Sequence, residues 1–63
     1  MEIRVVDNEK SRKVVSFLQL ANDYTPQVGR EINYQGKRYK VIDNNTGPLM
    51  PENEKWIMVV EIN

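Results

Sequence analysis

The sequence predicts a small all-β domain of about five short antiparallel strands, closed into a barrel or rolled into a sheet. Three observations predict it. Apolar residues alternate with polar ones on both sides of Gln35-Gly36, the pattern of two half-buried strands joined by a tight turn. Three further stretches, Glu2 to Asp7, Val14 to Ala21 and Trp56 to Ile62, are rich in β-branched or aromatic residues, which suit a pleated surface. Clusters of Asn, Asp, Gly and Pro separate these stretches at the close spacing of all-β folds.

The hairpin from Arg30 to Asp43 organises the rest. Ile32 and Tyr34 alternate before the turn, and Tyr39 and Val41 after it. A loop of even length sets Ile32 opposite Tyr39, whereas a three-residue loop sets it opposite Arg38 and sends the apolar sets to opposite faces. The even loop is expected, with Gly36 at a positive φ. Gln35 is a poorer first residue for such a turn than Asn or Asp.

In chain order, Glu2 to Asp7 reads as a first strand, with Ile3 and Val5 on one face and Val6 on the other. Asp7 to Ser11 is a polar turn. The segment that follows admits two readings. As a helix capped by Asn8, it places Val14, Leu18 and Ala21 along one stripe. As a strand, it alternates Val14, Ser16, Leu18 and Leu20 with Val15, Phe17, Gln19 and Ala21. The pair Val14-Val15 and Phe17 favour the strand; an α+β fold with a helix over 9–21 is the alternative.

Asn22 to Gly29 is a connection, in which Pro26 cannot donate to a ladder and Gly29 bends the chain into the hairpin. Asp43 to Glu54 is a longer loop with Gly47, Pro48 and Pro51. Trp56 to Ile62 is apolar on both faces over most of its length, so it is expected at the centre of the sheet or in a subunit interface.

At 63 residues the chain is expected to be one domain, 1–63, and a domain of this size buries only about 60% of its unfolded surface. Cys and His are both absent. That excludes disulfides, thiolate chemistry and the usual general base near neutral pH. Nine cationic and nine anionic side chains balance overall, so no net field steers the chain to nucleic acid or an anionic membrane. The charge is uneven locally. Residues 30–42 hold Arg30, Lys37, Arg38 and Lys40 against Glu31, while 43–63 hold Lys55 against Asp43, Glu52, Glu54 and Glu61. No apolar run is long enough to span a bilayer, and the start lacks the basic and long apolar regions of a signal peptide. A cytoplasmic protein that does not engage a membrane is the expectation.

The candidate chemistry is sparse. Asp43, Asn44, Asn45, Glu52 and Glu54 lack the spacing of a calcium loop. Ser11, Ser16, Thr25 and Thr46 have no His to activate them, and the glycines are too far apart for a phosphate loop. Neither an enzyme nor a cofactor is expected. Arg30, Lys37, Arg38 and Lys40 near Tyr34 and Tyr39 form a candidate nucleic-acid surface. Strand geometry, however, points Tyr39 and Val41 away from Arg38 and Lys40, which argues against that partner. Trp56, alternating with Met58, Val60 and Ile62, reads as the largest core residue. Leu49 and Met50, between Pro48 and Pro51, either cap the core or form a partner-facing patch; a thin core favours the cap. As functional residues they are the candidates for binding another protein.

The run Pro26-x-Val28-Gly29-x-x-Ile32-x-Tyr34-x-Gly36-Lys37-x-Tyr39-x-Val41, followed by a variable loop and a β-rich final strand, resembles small, functionally uncharacterised all-β proteins of bacteriophages and other mobile elements. Many of these have SH3-like barrel character. The resemblance implies an SH3-like fold and brings no site residues. The function expected is a non-enzymatic interaction module that binds another protein, with homo-oligomerisation open to it and weak nucleic-acid binding through 30–42 as the alternative.

Overall fold

The computed structural model describes residues 1–19 and 26–62, with the backbone alone at Glu52. Its strands are β1 (Glu2–Val6), β2 (Val14–Gln19), β3 (Glu31–Tyr34), β4 (Lys37–Asn45) and β5 (Trp56–Ile62), with a 3₁₀ turn at Glu52–Glu54. They form one sheet in the order β2-β1-β5-β4-β3. The all-β class is therefore right, and β5 is central, one of the two places expected for a strand apolar on both faces. The expected arrangement, antiparallel strands closed into a barrel or rolled into a sheet, differs from the structure on two counts. Strands β2 and β3 are the edges of an open sheet, and β1 runs parallel to β5, with Ile3 beside Ile57 and Val5 beside Val59. These two strands come from opposite ends of the chain, so no turn between them sets their relative direction.

The hairpin forms as its alternation dictates. Ile32 faces Tyr39 and Tyr34 faces Lys37, leaving a two-residue turn with φ of 51° at Gln35 and 80° at Gly36. Two positive φ values match the right-handed twist of the strands. Upstream, Arg30 N–H donates to the Gln27 carbonyl at 3.1 Å. Gly29 sits at φ 95° at the third position of that turn, where glycine is favoured. Gly29 N–H then donates to the Val41 carbonyl, and Val41 N–H to the Arg30 carbonyl, each at 2.8 Å, so the ladder on β4 continues past β3.

The helix considered for 9–21 does not form. Val14–Gln19 is strand, paired antiparallel with β1; Leu20 and Ala21, and residues 22–25 of the following connection, lie outside the described residues. The cap signal at Asn8 is real but local. Asn8 Oδ1 accepts from Lys10 N–H at 2.9 Å and Ser11 N–H at 2.8 Å, and Arg12 N–H donates to the Asn8 carbonyl at 3.1 Å. One turn is completed. Arg12 then takes φ 52°, the left-handed conformation that ends helices.

The loop expected over 43–54 is shorter than its composition suggests. Asp43, Asn44 and Asn45 belong to β4 and pair with Met58, Ile57 and Trp56, after a bulge between Val41 and Asp43. The long partner strand β5 supplies ladder bonds that override the turn preference of these residues.

One face of the sheet carries the core. Ile3, Val41, Ile57 and Val59 are 0% exposed, and Met1, Val5, Ile32 and Tyr39 join them, with Leu18 and Tyr34 packed at the margin. Trp56 is outside this cluster, which corrects its reading as the largest core residue. Ile57 and Val59 point in, so Trp56, Met58 and Val60 occupy the opposite, outer face, and all three are half-buried.

Candidate interaction surfaces

Two successive turns build the first surface. Met50 N–H donates to the Gly47 carbonyl at 3.0 Å, and Glu54 N–H to the Pro51 carbonyl at 2.9 Å. Pro48 occupies the second position of the first turn, which its fixed φ suits, and Leu49 the third. A side chain at a turn tip has nothing beneath it. Leu49 is 98% exposed, so it does not cap the core; Met50 is half-buried. Gly47, Pro48, Leu49, Met50, Pro51 and Glu54 line an open apolar cleft of about 420 Å³. Leu49 and Met50 are thus brought to one site, with the exposed Glu54 as its charged member.

The four basic residues of the hairpin do not converge as a set. Arg38 Nη2 donates to both carboxylate oxygens of Glu31, at 3.0 and 3.2 Å, and Lys40 Nζ reaches Glu9 Oε1 at 3.4 Å. Arg30 and Lys37 are exposed. Tyr39 is buried in the core beside Val41, so it offers no stacking platform next to Arg38 and Lys40.

The third surface is the outer face, which the sequence did not single out. Register places Arg4, Met58, Lys40 and Asp43 there. The Arg4 guanidinium lies 4.5 Å from the Trp56 ring centre and also pairs with Glu2 at 3.3 Å. The turn after β1 crosses this face: Glu9 meets Lys40, and Arg12 meets Asp43 at 3.1 Å, although β5 separates β1 from β4. That crossing accounts for the burial of Val6, 2% exposed on the outer side.

Asp7 holds the crossing turn in shape. Its Oδ1 accepts from the Ser11 hydroxyl, from Asn8 N–H at 2.7 Å and from Lys13 N–H at 3.1 Å. These bonds, led by Ser11, favour the carboxylate and draw its pKa below the ordinary 3.8, against a smaller opposing effect of desolvation.

Among the described residues no group of three or more acidic side chains is placed to hold a metal ion, and no helix is long and apolar enough to cross a membrane. No protein family, curated protein or solved structure matches the chain.

Proposed function

We propose that this chain is a non-enzymatic interaction module that binds another protein through the cleft at 47–54. The observation that carries the reading is Leu49, a large apolar side chain held 98% exposed at a turn tip over an apolar cleft. Isolated exposed leucines are common. One displayed at a turn tip on a shallow, open apolar surface is a suitable contact for a partner's side chain. Charge narrows the partner further. Glu54 lines the cleft as its one charged member among the described residues, so the segment recognised has an apolar anchor with a Lys or Arg beside it.

A displayed-peptide selection on the folded chain tests this. Enriched peptides should share an apolar anchor with a basic neighbour and fail to bind Leu49→Ser. Absence of enrichment, or equal capture by the variant, refutes the reading.

A further inference from the structure

We propose that the outer edge of β2 is a self-association site, where a second copy of this chain adds its own β2 antiparallel across a two-fold axis. Strand β2 ends the sheet order, so one side of its backbone has no strand partner among the described residues. A row of alternating donors and acceptors left to water is a ready template for another extended strand.

The two edges of the sheet differ. Strand β3 is four residues long, its Glu31 is ion-paired with Arg38, and Arg30 and Lys37 flank it. Those are the devices that keep an edge from pairing. Strand β2, Val14 to Gln19, contains no charged residue and no proline, and it exposes Val15 at 59% and Phe17 at 61%. Among the described residues the only charges beside this edge are Arg12 and Lys13 at its entry, and Arg12 is drawn to Asp43, so the strand itself is unguarded.

Charge and register select a second copy as the occupant. The chain has zero net charge, so copies do not repel at long range. Antiparallel pairing sends the Arg12-Lys13 entry of one strand to the far end from that of the other, whereas parallel pairing would stack them. Keeping both core faces on one side requires residues of like parity to oppose. A two-fold at Phe17 does this, with Phe17 against its own copy, Ser16 against Leu18 and Val15 against Gln19. The aromatic pair is a favourable cross-strand contact. It also continues the row in which Phe17 neighbours Arg4 and Arg4 stacks on Trp56. Because β3 is guarded, association closes at two copies. Six residues per strand make a small interface, so the dimer is weak and concentration-dependent.

Sedimentation equilibrium of the full chain from about 10 μM to about 1 mM should show the mass rising from 7.4 kDa towards twice that value. Phe17→Lys places two ammonium groups opposite each other and should weaken association at least about tenfold; Asn33→Lys on β3 should leave it unchanged. Hydrogen exchange on the unaltered chain gives a second readout should Phe17→Lys fail to fold: amides of 14–19 should slow as concentration rises while those of 31–34 do not. A single-chain mass throughout overturns the proposal and leaves the edge to a strand of a different protein. Equal association by a folded Phe17→Lys, or β2 exchange independent of concentration, overturns it as well.

Discussion

The guanidinium of Arg4 lies over the Trp56 ring, 4.5 Å from its centre, on the face of the sheet away from the core. A contact of this kind at a half-exposed site contributes about 0.5–1 kcal/mol. Arg4→Ala is expected to destabilise the chain by that amount in urea titration and to shift the Trp56 emission to longer wavelength as the ring becomes more hydrated. An unchanged emission maximum would show that the stacking does not persist in solution.

The division of β5 into two faces gives a sharper contrast. Ile57 is 0% exposed and Trp56 is half-buried. Ile57→Ala removes fully buried volume and should cost about 2–5 kcal/mol, which is most or all of the stability of a fold of this size. Trp56→Phe keeps an aromatic ring on the outer face and should cost about 1 kcal/mol or less. Chemical denaturation of both variants checks the order; the reverse order would place Trp56 inside.

That contrast marks where the sequence was legible. Strands β3 and β4 each have one clearly polar side, so their faces and the Ile32–Tyr39 register followed from alternation and turn length alone. Strand β5 is apolar on both sides, and β-branched residues occur in both of its alternating sets, so nothing local decides between Ile57 with Val59 and Trp56 with Val60. The answer comes from β1 and β4, whose Arg4, Lys40 and Asp43 can only face outward. Using it requires a long-range register, including a parallel pairing, that no turn encodes. The cleft at 47–54 was legible as a composition, Gly-Pro-Leu-Met-Pro, but the exposure of Leu49 depends on which turn position it takes. Phe17 was legible as a strand residue and not as an edge residue, since edges exist only once the strand order is known.

The turn of the central hairpin is suboptimal in one residue. Gln35 holds φ 51°, a region in which Asn is far better tolerated than Gln. Gln35→Asn should stabilise the chain by about 0.5 kcal/mol. Gly36→Ala should destabilise it by about 1–2 kcal/mol. An added Cβ at Gly36 meets no atom within 4 Å, so the cost is in the backbone and not in a clash. Thermal unfolding of the two variants in opposite directions would establish the two positive φ values.

Asp7 makes stability depend on acid. Its carboxylate pKa is lowered on folding, first by the Ser11 hydroxyl, so its contribution is present above the unfolded value of about 3.8 and is lost as pH falls through the lower folded value. Asp7→Asn should flatten this part of the stability profile and loosen the 7–13 turn. The group is exposed, so the effect is expected to be small. Urea midpoints measured across the acid range for both chains read it directly; parallel profiles would show that Asp7 is not the group responsible.

The most direct test of the account is equilibrium binding of a selected peptide to the unaltered chain and to Leu49→Ser, with urea stability measured on the same samples. Leu49 is exposed and outside the core, so if it is the partner contact proposed, binding should weaken at least about tenfold and stability change by less than about 0.5 kcal/mol. Equal binding, or loss of the folded state, would contradict it.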